Sequence, residues 1–311
     1  MPAPAARVVL DWGTSSFRAF LIGPEDRITA RIESPDGIAT LSREDFPRVL
    51  AAALAEWRAT HGDLAIVAAG MIGSRNGWVE LPYADCPAGE ADLAALARAV
   101  PVADGLTITF LPGLTDRAAH PFPDVMRGEE TQLVGLGLER DRTVVLPGTH
   151  SKWATIAGGR ITRFQTVLTG ELFAVVSQHA FIARMAAPPE ATDLAAFDRG
   201  VDAARDGRGR TAGLLQKLFS VRAGWLSGGL APAEMRDYLS GLVIGSEFAE
   251  AGTSGWFPPD GALTLIGAPA LVAVYTRAAA AFGLDAEAAP ADIAVTGALR
   301  IARGVSGFPQ G

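Results

Sequence analysis

The chain has 311 residues, enough for two domains of ordinary size, and 49% of them are hydrophobic against 20% charged. Its net charge of -7 speaks against a general nucleic-acid or acidic-membrane surface. A single cysteine, Cys86, excludes an intrachain disulfide and argues against a thiolate zinc site. No apolar run reaches about 18 residues and a strand begins by Val8, so neither a membrane span nor a signal peptide is expected, and the chain reads as cytoplasmic.

Residues 8–22 read as a β-hairpin, two apolar runs around the hydroxyl-rich turn Gly13-Thr14-Ser15-Ser16. A helix capped by Ser42 is predicted over 44–60, with Phe46, Val49, Leu50, Leu54 and Trp57 at helical spacing. The apolar run 64–70 is a buried strand that ends in a glycine-rich loop, 70–83, carrying Ser74, Arg75, Asn76, Trp78 and Tyr83. Ligands sit beyond the carboxyl ends of strands in open α/β sheets, so this loop is a candidate substrate site; an ordinary turn with an exposed Arg explains it equally well. A helix over 91–99 and a strand over 106–111 follow. Residues 128–138 read as a helix whose first turn holds Glu129 and Glu130, an arrangement that dipole compensation alone accounts for.

A near copy of the first hairpin occupies 144–156. Gly148, Thr149, Ser151 and Ala154 repeat Gly13, Thr14, Ser16 and Ala19, and both hairpins are followed by Arg-Ile-Thr, at 27–29 and 160–162. A repeat of this length points to duplicated domains rather than a solenoid. Only two lysines occur, and one of them, Lys152, lies inside the second turn, a weak sign that a compact cation is wanted there. The strand that follows passes through Thr169-Gly170 into a helix with Glu171 in its first turn, which is either an anion-holding N-terminus or a plain capping motif. Residues 188–209 read as a charged helix with a loop, and 238–249 as a helix with Leu239, Leu242, Val243 and Phe248 on one side. A strand, the tight turn Gly267-Ala268-Pro269 and a helix come next; small residues there let backbone approach a flat ligand such as adenine, or simply start the helix. Residues 293–302 read as one more strand-to-helix junction.

The absence of any Gly-Lys dipeptide excludes a Walker-type phosphate loop. His-Glu-x-x-His, Gly-x-Ser-x-Gly and a protein-kinase catalytic loop are likewise missing, and the four histidines show no metal-ligand spacing. Two Gly-Thr-x-Ser turns are most economically a grip on polyphosphate, their amides and hydroxyls donating to phosphate oxygens while Asp11 holds Mg²⁺ directly or through water.

An Asp-x-Gly-Thr hairpin turn, a second Gly-Thr hairpin one domain later and a late Gly-Ala strand-to-helix turn resemble the actin, hexokinase and chaperone ATPase superfamily. Within it the chain closely resembles the 2-dehydro-3-deoxygalactonokinase family, in 11–19, 70–83, 126–132, 146–154 and 169–174. The resemblance runs over nearly the whole chain. It implies an α/β fold of two duplicated ribonuclease-H-like domains with a cleft between them that closes on substrate. The domains would span 1–125 and 126–295, with a C-terminal helix over 296–311 packing back on the first.

The implied reaction is in-line transfer of the ATP γ-phosphoryl group to the C6 hydroxyl of 2-dehydro-3-deoxy-D-galactonate, with Mg²⁺. By the same resemblance Asp11, Gly13, Thr14 and Ser15 form the first phosphate turn, with Asp11 on the metal, and Gly148, Thr149, Ser151 and Lys152 form the second. Gly267, Ala268 and Pro269 take the place of the adenosine-contacting turn, and Thr169, Gly170 and Glu171 lie close to the nucleotide. Ser74, Arg75, Asn76 and Arg127 hold the sugar, and an Arg at 75 suits a bidentate clamp on a 2-keto acid carboxylate. Some superfamily sugar kinases carry a catalytic Asp where this chain has Pro147, so the general base falls to Glu129 or Glu130, with Asp124 and His150 as weaker candidates. A kinase for another acid sugar, such as the gluconate epimer, and a nucleotide-gated regulatory ATPase are the alternatives. The partner is a small sugar acid, with no nucleic acid and no membrane, and a homodimer is allowed.

Overall fold

The computed structural model describes residues 6–102, 105–187, 191–205 and 213–310. Ala6–Trp12 (β1), Phe17–Ile22 (β2) and Ile28–Ser34 (β3) form an antiparallel meander in which Asp11 lies opposite Arg18. The first turn closes with the Gly13 N–H donating to the Ser16 carbonyl at 2.9 Å. Leu64–Ala69 (β4) joins β1 in parallel. A parallel neighbour needs a crossover, and Phe46–His61 (α1) supplies it. Asp45, not Ser42, occupies its N-cap, and Ser42 donates to the Asp45 carboxylate at 2.6 Å. Phe46, Leu50, Leu54 and Trp57 line one face of α1 and are buried in a core shared with Trp12, Phe17 and Phe110. The Trp12 ring meets Phe17 edge-on at 4.6 Å and Phe46 at 5.3 Å. Fully burying such a side chain contributes about 1.5–3 kcal/mol.

Tyr83–Asp85 (β5) and Glu90–Leu96 (α2) follow, then Arg98–Pro101 (β6) and Thr107–Phe110 (β7). The helix expected over 91–99 ends early. The chain turns extended at Ala97 because β6 pairs antiparallel with β7, Arg98 opposite Phe110, and ladder pairing overrides the helix propensity of the alanines. Gly113–Asp116 (β8) and Asp124–Met126 (β9) complete a small second sheet with β5, in the order β5-β8-β9. Glu129–Leu136 (α3) starts directly beyond β9.

Arg142–Leu146 (β10), Ser151–Ala157 (β11), Arg160–Val167 (β12), Ala262–Leu265 (β13) and Asp285–Ala288 (β14) form a third sheet, ordered β12-β11-β10-β13-β14. The first sheet runs β3-β2-β1-β4-β7-β6. In both, three consecutive strands stand in reverse order and the fourth joins the first in parallel. The repeated Gly-Thr turns therefore mark a repeated topology. Thr169–His179 (α4), Leu194–Arg205 (α5), Leu214–Leu226 (α6), Met235–Thr253 (α7) and Pro269–Ala281 (α8) accompany the third sheet. Within the stretch 188–209, α5 is the expected helix, and positions 188–190 and 206–209 lie outside the described residues.

Ile293–Arg303 (α9) corrects the reading of 293–302 as a strand-to-helix junction. The whole stretch is helical, its apolar residues Ile293, Ala298, Leu299, Ile301 and Ala302 being buried on a helical face. Two compact units result, one of Met1–Asp141, Thr155–Phe164 and Pro290–Gly311, the other of Arg142–Ala154 and Gln165–Ala289. The division comes after α3 rather than at 125, because α3 and α9 touch backbone to backbone. A Cβ on Gly297 would stand 1.7 Å from the Thr131 carbonyl oxygen, and one on Gly135 2.0 Å from that of Ile293. Among the described residues no helix is long and apolar enough to cross a membrane.

Overpacking a close helix pair costs about 1–3 kcal/mol or more. Gly297→Ala is therefore expected to lower the unfolding free energy of the first unit by at least that much, seen as a lower urea midpoint, while Gly213→Ala, where a Cβ meets nothing within 4 Å, leaves the midpoint unchanged. Equal midpoints for the two variants would show that α3 and α9 do not need this contact.

Candidate active site

In the first unit the carboxyl ends of β1 and β4 meet the start of α3 with almost no side chain between them. Gly70, one residue past β4, has φ +92, and a Cβ there would lie 2.9 Å from the Trp12 carbonyl and 3.4 Å from Asp11 Oδ1. Gly128, the N-cap of α3, has φ +110, and its Cβ would lie 3.3 Å from Gly70 Cα. Glycine is required at both positions by conformation and by space. The Asp11 side chain, 22% exposed, pairs with Arg18 Nη2 at 2.5 Å. Burial raises the Asp11 pKa, the Glu129 charge raises it further, and Arg18 opposes both. Asp11 and Glu129 are thus near enough to feel each other.

The two acids of α3 have different surroundings. Glu130 is fully buried, and both of its carboxylate oxygens are within reach of the Gly128 N–H, at 2.7 and 2.9 Å. Burial pushes its pKa up to about 8, with the Glu129 charge adding to the shift. Glu129 is part-exposed, and its Oε2 accepts from the Arg127 N–H at 3.1 Å. Asp124 stands apart at the start of β9, accepting from the Val125 N–H. In the first turn Thr14 and Ser15 are exposed. The carbonyls of Gly13 and Thr14 accept from Ile38 and Ala39 at 3.0 Å, which holds the turn in shape.

The small β5-β8-β9 sheet positions Arg127. Its guanidinium lies 4.4 Å from the Tyr83 ring centroid and donates through Nη2 to the Leu81 carbonyl at 2.8 Å. Arg127 is only 7% exposed, yet its Nε and Nη1 are buried with no hydrogen-bond partner, as is Ser74 Oγ. Gly73, next to Ser74 in the chain, lies against that guanidinium: a Cβ there would come within 3.1 Å of Arg127 Nη1. Arg75 and Asn76 are exposed on the turn closed by the Gly77 N–H and the Ser74 carbonyl at 2.9 Å. The loop 70–83 therefore splits into a buried polar part, Ser74 beside Arg127, and an exposed part, Arg75 and Asn76.

In the second unit three segments gather at the carboxyl ends of the parallel strands β10 and β13. Gly148 is half-buried, and Thr149 and His150 are exposed. The start of α4 presses on this turn: a Cβ on Gly170 would stand 2.3 Å from the Gly148 carbonyl oxygen, and the Glu171 N–H donates to the Thr149 carbonyl at 2.9 Å. His150 Nε2 and Glu171 Oε2 are 2.6 Å apart. Gly267, Ala268 and Pro269 are exposed, and a Cβ on Gly267 would come within 3.3 Å of the Pro147 carbonyl oxygen. Ser151 and Lys152 differ from the expectation that both side chains grip phosphate. Ser151 is fully buried and bonds Tyr275 OH at 2.7 Å, and Lys152 is 4% exposed with Nζ donating to the His150 carbonyl at 3.2 Å. They begin β11, whose first residues are covered on both faces, so the two side chains are buried although they point to opposite sides of the strand. Thr169 is buried too, its hydroxyl donating to Glu247.

Glu247 was not singled out from the sequence. The available signal was an acid next to Phe248 and one helical turn from Val243, on the apolar side of α7. Among the described residues no three acids, histidines or cysteines gather as a metal cage. Magnesium bound through substrate phosphates needs only one or two carboxylates, and Asp11 beside Glu129 meets that condition.

Folding raises the Glu130 pKa, so the native state binds this proton more tightly than the unfolded chain. Its contribution to stability is full below about pH 4.5 and is lost as pH rises through about 8. Glu130→Gln removes the titration. The stability difference, variant minus parent, is expected to grow by up to roughly 1.4 kcal/mol per pH unit across that window; parallel urea-denaturation curves from pH 5 to 8.5 would contradict it.

The 2-keto-3-deoxy-galactonokinase family model matches residues 11–302. A protein of Rhizobium meliloti (strain 1021), described as a probable 2-dehydro-3-deoxygalactonokinase, is 40% identical over 94% of this chain and 95% of its own length. The 2-dehydro-3-deoxygalactonokinase of Escherichia coli (strain K12) is 34% identical over 95% of this chain and 97% of its own. A crystal structure from Sinorhizobium meliloti, assigned as a 2-dehydro-3-deoxygalactonokinase, superposes with a TM-score of 0.85 at 39% identity, covering 97% of this chain and 99% of that one. The family model and both relatives span nearly the whole chain, and the chain belongs to the 2-keto-3-deoxy-galactonokinase family.

Proposed function

We propose that the protein uses ATP with Mg²⁺ to phosphorylate 2-dehydro-3-deoxy-D-galactonate on its C6 hydroxyl, in the cytoplasm where ATP is made available to sugar-acid breakdown. The observation that carries this reading is the close approach of Gly128 to Gly70 and of Gly70 to Asp11, which brings the start of α3, with part-exposed Glu129, to the end of β1 where Asp11 stands. Two carboxylates of like charge invite a cation between them and a proton onto one of them. Asp11 holds Mg²⁺, which when bound neutralises charge on the transferring phosphoryl group. Glu129 accepts the proton of the C6 hydroxyl as the oxygen attacks in line. Glu130, buried and held by the Gly128 amide, fixes the start of α3 instead of taking part in proton transfer.

Recognition of an acid sugar follows from Arg127 and Ser74. A buried donor without a partner costs about 1–3 kcal/mol, and a carboxylate fits the open edge of a guanidinium with two parallel hydrogen bonds. Arg127 therefore takes the C1 carboxylate, with Ser74 beside it, and exposed Arg75 and Asn76 reach the hydroxyls. On the nucleotide side, Gly13 to Ser15 and Gly148 to Thr149 donate backbone amides and hydroxyls to the phosphates, the α4 N-terminus adds its dipole, and Gly267 to Pro269 flank the adenosine. The names of the relatives favour the galactonate epimer over the gluconate one.

Glu129→Gln is expected to lower kcat by about 10²–10⁴-fold with KM for ATP within about twofold of the parent; retained turnover in a coupled ADP-release assay would remove Glu129 as the base. On the substrate side, Arg127→Lys is expected to lower kcat/KM for the sugar acid about 100-fold, consistent with one charge-assisted bond pair. A substrate with its C1 carboxylate replaced by an amide would lose a similar factor on the parent and little more on the variant. Additive losses would show that Arg127 does not meet that carboxylate.

A further inference from the structure

Beneath the exposed turns of the second unit lies a polar cluster that is almost wholly buried. Glu247, on α7, is 2% exposed and Ser151 and Thr169 are 0% and 5% exposed. Trp153 Nε1 donates to Glu247 Oε1 at 2.8 Å, and Tyr275 OH donates to Oε2 at 2.7 Å. The Thr169 hydroxyl donates to the same Oε2. Since the Tyr275 proton is given to Glu247, the Ser151 hydroxyl, 2.7 Å away, donates to the Tyr275 oxygen. One carboxylate thus accepts from two strand positions of β11, directly and through Tyr275, from the first residue of α4, and from α8. Burial raises the Glu247 pKa, and the donors oppose that shift.

The donors are the roots of the nucleotide-facing segments. Ser151 ends the 147–150 turn. Thr169 is followed by Gly170 and Glu171, which press on the Gly148 and Thr149 carbonyls from the side. Tyr275 belongs to the helix that the 267–269 turn opens. A single apolar residue at 247 would leave a tryptophan N–H and two hydroxyls buried without acceptors, so the position is costly to maintain for packing alone.

We propose that Glu247 is a positioning residue for ATP: its carboxylate sets the second phosphate turn, the α4 N-terminus and α8 in one register. The proposal rests on the reading of these turns as the nucleotide side of the kinase. A glutamine at 247 keeps one acceptor oxygen for the Trp153 N–H and puts an amino group where Oε2 stands, which forces both Thr169 and Tyr275 to reverse their hydroxyls and disturbs the start of α4.

The test is a comparison of Michaelis constants in E247Q, Thr169→Val, Thr169→Ser and the E247Q/Thr169→Val double variant, with nucleotide affinity measured directly by titration calorimetry. Expected results are a rise of about tenfold in KM and Kd for ATP in E247Q and in Thr169→Val, an unchanged KM for the sugar acid, and parent-like ATP binding in Thr169→Ser, which keeps the donor. The double variant should be no worse than the poorer single one, since both break the same link. Unchanged ATP constants in soluble Thr169→Val, or equal rises in both substrates' KM, would overturn the proposal even if E247Q fails to fold. Thr149→Glu separates the two levels of the reading. If this exposed substitution does not weaken ATP binding, the turn is not a phosphate turn; if it does while Thr169→Val does not, only the role of Glu247 falls.

Discussion

Close approach of bare backbone is the constraint on which the first unit of this protein depends. Gly128 brings the start of α3 against Gly70, and Gly70 in turn lies against the end of β1 at Asp11 and Trp12. Any Cβ there would push α3 away and separate Asp11 from Glu129. The buried Glu130 reinforces the same point from inside by holding the Gly128 amide. A glycine pair and one sequestered acid thereby fix where a second, part-exposed acid stands.

The two sheets share a strand order but have developed opposite electrostatics at equivalent turns. The first turn follows an acid, Asp11, that remains partly open to solvent and is balanced by Arg18. The second follows Pro147 and has its carboxylate, Glu247, underneath, contributed by a helix and sealed from water. One copy leaves its carboxylate partly open beside Arg18; the other spends its carboxylate on holding hydroxyls and an indole in place.

Much of this was legible in the sequence where a local pattern decides the outcome. Both hairpins, α1 with its Phe46-Leu50-Leu54-Trp57 face, and the glycine turns at 128, 148, 170 and 267 follow from alternation, spacing and conformational need. The misreadings occurred where a distant partner decides. Arg98 leaves the helical pattern because β7 lies alongside, and Ile293 to Thr296, β-branched or small, are helical because α3 offers them a groove lined by Gly135. Side-chain direction was harder still. Ser151 and Lys152 sit in a motif that suggests phosphate contact, yet β11 is covered on both faces where it starts and both side chains are buried. The role of Arg127 over Arg75 rests on burial, which sequence does not report.

The contact between α3 and α9 has a consequence for how the molecule is made. The helix that presents Glu129 packs on residues some hundred and sixty positions later, with all of the second unit's main segment between them. During synthesis the first sheet and its hairpin can assemble early, but α3 has no bed until Ile293–Arg303 leaves the ribosome. Domains fold largely in the order they emerge, and contacts of long sequence separation are slow to form. The second unit's main segment is therefore complete before α3 is locked in place, so the helix that begins with Glu129 is among the last elements of the first unit to be fixed.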